Sequence, residues 1–289
     1  MGLRLIYGRA GTGKSEKCYK EISEKIKQNN KILIITPEQF SFTAEKKLME
    51  AIETEAVFNA EVVTFSRMAY RVIQEIGGRT ETNLSKCGKA MLIYSILNNC
   101  KKDLKFLGKT DENVDMAGTA ITEFKKHGIS VEQLKQETEK QSDIYLKNKL
   151  NDINMIYEKF QEQIAGKYID ETDLLTILAQ NVDKVPDFKD NLIYIDEFAG
   201  FTYQEYQVIK ELIKQAKQVN ITMCIDNLKQ GNNPEADIYY SNKVTLSKML
   251  NLVEENEFKL EQPVELKKQY RFKTDELEHL SNNIYNIKS

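Results

Sequence analysis

The sequence predicts an α/β fold: a phosphate-loop core with a mostly parallel sheet, interrupted by a large all-helical insertion. Three observations carry this. Short apolar runs recur at residues 3–6, 32–35, 192–195 and 219–225, as expected of parallel strands covered on both faces. Helical-period apolar stripes alternate with them. From Ser85 to Gln180 only helical stripes are found, after which the apolar strands resume. The expected organisation is therefore a first core segment at 1–76, an inserted helical domain at 77–190 and a second core segment at 191–289.

Leu3, Leu5 and Ile6 form the first strand. Gly8-Arg9-Ala10-Gly11-Thr12-Gly13-Lys14-Ser15 then matches G-x-x-x-x-G-K-[ST]. Its glycines let the backbone curl and turn N–H groups toward phosphate oxygens. The helix starting near Lys14 adds the positive end of its dipole. Lys14 is expected to reach the β- and γ-phosphates, and the Ser15 hydroxyl to hold Mg²⁺. The first helix runs to about Gln28, with Cys18, Ile22 and Ile26 facing the sheet. A second strand ends at Thr36-Pro37, a helix covers Glu38–Ile52, a third strand covers Glu61–Phe65, and Ser66 caps a helix through Ile76.

Thr36–Thr43 and Thr64, Ser66, Arg67 and Arg71 follow strand ends, where the ligand crevice of such sheets lies. They are placed to meet a nucleic acid or phosphate; helix capping and surface charge account for them equally well. Inside the insertion, Ala90–Leu97, Met116–Phe124 and Ile144–Phe160 carry apolar stripes, and Thr172 caps a further helix. Lys101, Lys102, Lys105 and Lys109 form a small basic cluster near Phe106, read here as a solvated loop, with contact to a nucleic-acid backbone as the alternative. His127, with no second histidine nearby, reads as a solvated or helix-end residue.

Asn191–Gly200 holds the second signature. Leu192–Ile195 is a buried strand, Asp196 at its end is positioned for Mg²⁺, and Glu197 to orient and deprotonate water. Charges at a buried strand end need a reason, and a metal–phosphate site supplies one. The Asp-Glu pair favours an ATPase-like module over a small-molecule kinase. A helix at Tyr203–Gln215, a strand at Val219–Ile225 ending in Asp226, a helix at Asp237–Leu250, a last strand near Glu265 and a helix from Thr274 toward Ile287 complete the chain. Asp226 and Gln230 are candidates to sense a terminal phosphate.

Hydrophobic residues make up 41 % and charged residues 29 %, an ordinary globular composition. The net charge of -3 shows no overall basic footprint for nucleic acid, although a local stripe or a partner would supply one. Cys18, Cys87, Cys100 and Cys224 are scattered, with no C-x-x-C pair, so neither a zinc site nor a disulfide framework is expected. A reducing, cytoplasmic location follows. With a core strand beginning at Leu3, no signal peptide is expected. No apolar run approaches the roughly 18 residues that span a bilayer, so no membrane partner is expected.

Gly8–Ser15, Thr36–Thr43, Val63–Arg67, Leu192–Gly200 and Ile221–Asp226 together resemble the first RecA-like domain of superfamily 1 DNA helicases. Within it, Leu5–Ser15, Ile34–Phe42 and Tyr194–Thr202 resemble the AddB family, which belongs to the bacterial AddAB (RexAB-like) helicase–nucleases that process double-strand breaks. The resemblance covers nearly all of the chain. It implies ATP and Mg²⁺ as ligands, DNA and an AddA-like helicase/nuclease subunit as partners in a heterodimer, and a part in scaffolding and Chi recognition. Members of that family are longer, with a second RecA-like domain and a nuclease domain held by an iron–sulfur cluster. These residues show neither a nuclease acidic cluster nor the cysteine spacing, so neither nuclease activity nor an iron–sulfur cluster is expected of them. With Leu3 already in the first strand, the upstream glutamine motif that reads adenine in that superfamily is not expected, and further arginines would come from the second domain. Nucleotide binding with little turnover is the expectation. An autonomous phosphate-loop NTPase or small-molecule kinase, and a structural domain with a vestigial site, stand as alternatives.

Overall fold

A computed structural model describes residues 2–52, 59–78, 81–107, 112–229, 231, 234 and 237–283. In chain order the elements are β1 (Gly2–Gly8), α1 (Lys14–Lys27), β2 (Ile32–Ile35), α2 (Ser41–Ile52), β3 (Ala60–Val63), α3 (Phe65–Glu75), β4 (Thr82–Leu84), α4 (Lys86–Cys100), α5 (Glu112–Lys126), α6 (Val131–Glu139) and α7 (Ile144–Ile164). There follow β5 (Tyr168–Asp170), α8 (Leu174–Asn181), β6 (Leu192–Ile195), α9 (Tyr203–Gln215), β7 (Gln218–Cys224), α10 (Tyr240–Glu255), β8 (Lys259–Leu260), β9 (Val264–Glu265) and α11 (Asp275–Asn283). The chain divides into two compact units. The first comprises Met1–Met68, Asn181–Phe201 and Glu205–Ser289; the second comprises Ala69–Gln180 and Thr202–Gln204.

The first unit is built on a sheet in the order β3-β2-β6-β7-β1-β8, with β9 also paired to β1. Every pairing in it is parallel. All four residues of β2 and of β6 are buried, which is what their unbroken apolar sequences require. One face is covered by α1 through Cys18, Tyr19 and Ile22 and by α2 through Ala44, Leu48 and Ile52. A buried polar tie crosses the sheet: Arg4 Nε donates to Asn220 Oδ1 at 2.7 Å, and Asn220 Nδ2 donates to the Ile193 carbonyl at 3.1 Å. Arg4 also pairs with Glu21 of α1. Burial works against the Glu21 charge, yet Arg4 and Lys17 outweigh it and hold the carboxyl below the usual range.

In a parallel sheet every strand runs back to the same edge through a crossover, so the carboxyl ends of β1, β2, β3, β6 and β7 line up together. The register makes this concrete: Gly8 lies opposite Cys224, and Ile195 opposite both Ile35 and Ile221.

The second unit is helical around α7. Ile153, Ile156, Tyr157, Phe160 and Ile164 form its spine, against Ile93 and Ile96 of α4, Ala117 and Ile121 of α5 and Leu134 of α6. It is not wholly helical. Thr82–Leu84 and Tyr168–Asp170 pair in parallel as a separate two-stranded ladder, whereas the sequence suggested an all-helical 77–190 with no strand from Ser85 to Gln180. Three residues per strand are too few to show a period. Two caps also differ from expectation. Thr64, not Ser66, accepts the Arg67 N–H at the start of α3 (3.2 Å), and the Ser66 hydroxyl donates to Glu38 Oε1. Residues 171–173 form a 3-10 turn before α8, so Thr172 lies inside a turn and does not cap the helix.

Asp170 is the buried charge around which this unit is tied. Its Oδ2 meets Lys89 Nζ at 2.8 Å and Lys125 Nζ at 3.2 Å, and Lys125 also reaches Asp173 at 2.8 Å. Both ammonium groups lie 5.4 Å from the centre of the Phe160 ring. Burial disfavours the Asp170 charge, but Lys125 and Lys89 prevail and its pKa is lowered. Asp170→Asn removes the carboxylate that both lysines share and is expected to destabilise the unit by about 3 kcal/mol in urea unfolding. Because the folded-state pKa is the lower one, this stabilisation is present above the ordinary Asp value of about 3.9 and is lost as pH falls through the folded value. The mutant is expected to show a shallower loss of stability below about pH 4 than the wild type.

Candidate phosphate-binding site

β1 delivers the chain to the sheet's carboxyl edge at Gly8, and α1 leaves from Lys14. Between them the backbone turns through two left-handed glycines, Gly11 (φ 85°) and Gly13 (φ 77°). Thr12 closes the turn, its N–H and hydroxyl both donating to the Arg9 carbonyl at 3.3 and 2.9 Å. Lys14 folds back over the loop, Nζ donating to the carbonyls of Gly8 and Arg9 at 3.0 Å each. Its ammonium thus stands over the loop's hollow.

The loop is closed from outside by residues 266–271, which follow β9. Leu266 N donates to the Tyr7 carbonyl at 2.8 Å, Tyr270 N to the Gly11 carbonyl at 2.9 Å, and Gln269 Nε2 to the Ala10 carbonyl at 2.8 Å. The approach is too close for side chains: a Cβ on Gly8 would stand 2.4 Å from the Leu266 carbonyl oxygen, and one on Gly11 would stand 2.2 Å from Gln269 Oε1.

Across the cleft, β6 ends at Asp196, whose N–H extends the ladder to the Ile35 carbonyl at 3.0 Å. Because Ile195 is registered with Ile221, Asp196 falls beside Thr222, and the Thr222 hydroxyl donates to its Oδ1. The Asp196 residue is 5 % exposed. Glu197 takes a left-handed backbone (φ 66°), unusual for a side-chain-bearing residue and a mark of local constraint. Its Oε1 accepts from Ser15 Oγ at 3.2 Å and lies 3.6 Å from Lys47 Nζ. The resulting cleft has a volume of about 470 Å³, with Lys14, Ser15, Lys47, Asp196, Glu197 and Arg271 on its walls. A second hollow of about 750 Å³ adjoins the loop, lined by Lys17, Lys20, Leu266 and Tyr270. Tyr270 is 65 % exposed, and its ring lies beside Gly13.

The structure therefore brings Gly8–Ser15, Asp196 and Glu197 to one edge. Lys47 from the middle of α2, Asn242 of α10 and Arg271 also line the cleft and had no signature in the sequence, while Thr222 lies within the Ile221–Asp226 segment. Asp226 does not join the cleft wall; it pairs with Lys243 at 2.9 Å, and Lys243 also holds Asp237 at 2.7 Å. Burial works against the Lys243 charge, and the two carboxylates overcome it, so its pKa is raised. Gln230 and Lys109 lie outside the described residues. Lys101, Lys102 and Lys105 are exposed and belong to the second unit, as does His127, which lies 3.9 Å from Glu123.

Past the ends of β2 and β3 lies a polar and aromatic strip. Gln39 and Phe42 are exposed, Phe42 by 77 %, and Arg67 pairs with Glu45 at 3.2 Å. Phe65, Phe198 and Phe201 form a row with ring centres 5.6 and 5.1 Å apart.

Chemically the cleft sets cationic Lys14, Lys47 and Arg271 against carboxylates Asp196 and Glu197. Among the described residues, no three His, Cys, Asp or Glu side chains converge to hold a metal by themselves. Mg²⁺ does not require such a cage; it is commonly held by one or two protein oxygens, waters and the phosphates of its partner nucleotide.

A family model described as "ADDB, N-terminal" matches residues 5–281. The chain belongs to the AddB family. It is similar to proteins named as the B subunit of an ATP-dependent helicase/deoxyribonuclease from Clostridium tetani (42 % identical over 99 % of this chain), Clostridium botulinum strain Langeland (38 % over 99 %) and Thermoanaerobacter sp. X514 (39 % over 92 %). The chain covers 26 %, 26 % and 24 % of those relatives, about a quarter of their length. Among the described residues of this AddB-family chain, no helix is long and apolar enough to cross a membrane.

Gly11→Ala tests the loop geometry. A Cβ there meets Gln269 and Arg271 and sits on a left-handed backbone. The substitution is expected to lower stability by about 1–3 kcal/mol in denaturant unfolding, well beyond an exposed Gly→Ala change.

Proposed function

We propose that this chain is the ATP-binding, helicase-like module of an AddB protein, acting in a helicase–nuclease complex that repairs double-strand DNA breaks. The observation that carries the reading is the convergence of Gly8–Ser15 with Asp196 and Glu197 at one sheet edge. The side chains fit Mg·ATP. Loop N–H groups and Lys14 would hold the β- and γ-phosphates, Ser15 and Asp196 would hold Mg²⁺, and Glu197 would orient water. The chemistry Mg²⁺ would supply there is neutralisation of phosphate charge. Tyr270 offers an exposed ring for base stacking, and Arg271 a guanidinium at the phosphate end.

Arg271 is the one arginine on the cleft wall among the described residues. Further arginines would come from a second RecA-like domain, and lacking an arginine finger of that kind lowers rates by about 10³–10⁵, so we expect binding with little turnover from this segment alone. In this reading the module serves as scaffold and in DNA (Chi) recognition beside an AddA-like helicase/nuclease subunit in the cytoplasm. The strip beyond β2 and β3 supports a nucleic-acid path: Arg67 supplies charge, and the exposed Phe42 supplies an apolar ring.

Two experiments test this. In calorimetric titration of the full-length protein, Mg·ATP is expected to bind saturably and Lys14→Ala to abolish the binding; unchanged binding in the mutant contradicts the site. Arg67→Ala is expected to weaken single-stranded DNA binding and lower the slope of log affinity against log salt by about 0.7, one phosphate contact. An unchanged slope removes Arg67 from the path.

A further inference from the structure

We infer that Gln269 is the positioning residue that registers Arg271 on the phosphate loop, and that it thereby sets the preference of the site for a nucleoside triphosphate over a diphosphate. The inference rests on the nucleotide reading above. Gln269 uses both ends of its amide. Nε2 donates to the Ala10 carbonyl at 2.8 Å, across to the loop, and Oε1 accepts the N–H groups of Tyr270 and Arg271 at 3.1 Å each. The Tyr270 N–H is shared with the Gly11 carbonyl at 2.9 Å. The Gln269 amide and the Tyr270 N–H thus fasten residues 269–271 to the two loop carbonyls, Ala10 and Gly11, before the second left-handed glycine.

The fit is close. Gln269 Oε1 and Arg271 Cβ occupy the space where a Gly11 side chain would stand, at 2.2 and 2.6 Å from its ideal Cβ. Arg271 itself is exposed and long, so its side chain alone does not fix its place. Its position depends on backbone registration, and Gln269 supplies that. Arg271 lines the same cleft as Lys47, Asp196 and Glu197. The last phosphate of a triphosphate, together with its metal, would extend to that wall. A planar guanidinium there grips a terminal phosphate through two parallel hydrogen bonds, and it does so only when its backbone is held in register. A diphosphate, cradled by the loop and Lys14, relies on it far less.

The test measures the dissociation constants of Mg·ADP and of a non-hydrolysable Mg·ATP analogue for the full-length protein. The variants are Gln269→Ala, Gln269→Glu, Arg271→Ala and the Gln269→Ala/Arg271→Ala double. Gln269→Glu keeps the side-chain shape and the acceptors but cannot donate to the Ala10 carbonyl. Each single variant is expected to weaken the triphosphate analogue about tenfold while moving ADP less than about twofold, the scale of one charge-assisted contact. The double variant is expected to be no weaker than Arg271→Ala, because the two act as one unit. Parallel loss of both nucleotides in Gln269→Ala and Gln269→Glu overturns the inference, as does an additive double variant. A wild-type protein that binds the diphosphate but does not prefer the triphosphate overturns it too and leaves the nucleotide site standing. A wild type that binds neither nucleotide overturns the nucleotide reading and this inference with it.

Discussion

The parallel pairing of β1 with β7 is the constraint on which the rest of the molecule depends. It runs from Leu3 opposite Val219 to Gly8 opposite Cys224, joining stretches whose buried tie, Arg4 to Asn220, spans 216 positions of sequence. Since both strands end at the same edge, the loop after β1 has to emerge beside the end of β7. β6, paired to the other side of β7, delivers Asp196 to that edge. A one-residue slip of β6 would turn Asp196 away from Thr222 and reverse every side chain on the strand. The same logic explains why a whole helical unit fits between α3 and β6. Closing a longer excursion adds only about 0.6 kcal/mol for each doubling of its length, and the second unit's own core stabilises it.

Within that frame the site consists of polar groups held in place by partners weaker than a ligand would be. Asp196 is buried with a threonine hydroxyl on one oxygen, Glu197 shares one oxygen between Ser15 and a lysine at 3.6 Å, and Lys14 rests on two backbone carbonyls. Asp196 is the buried one among these charges, and a buried carboxylate with a single hydroxyl partner needs a further one, since burial penalises charge that is not fully satisfied. Asp170 is the contrasting case. There two lysines close directly on one carboxylate, and the arrangement leaves nothing for a ligand to replace.

Much of this was legible in the sequence because the relevant signals are local. Gly8–Ser15 states its own geometry, the unbroken Ile32–Ile35 and Leu192–Ile195 runs state burial on two faces, and Tyr203–Gln215 forms the helix its pattern predicts. The signals that stayed hidden belong to tertiary pairing. Lys47 reads as an ordinary surface lysine beside Lys46 on α2 until the sheet brings that helix against Glu197. Asp226 has the chemistry of a phosphate sensor, but Lys243 of α10 takes it. The β4–β5 ladder has only three residues a side, and its stability comes from the contact between segments distant in sequence. Gln269 and Arg271 follow a strand of only two residues, too short to announce a site, and their importance lies in what they touch on the far side of the chain.

The most direct test of the account is amide hydrogen exchange of the full-length protein with and without saturating Mg·ATP. The account predicts slowed exchange for the amides of residues 11–17 and of 196–198, with residues 269–271 protected in step, while the two-stranded ladder of the second unit stays as it was. Unchanged exchange at residues 11–17 would contradict the claim that this sheet edge is a nucleotide site.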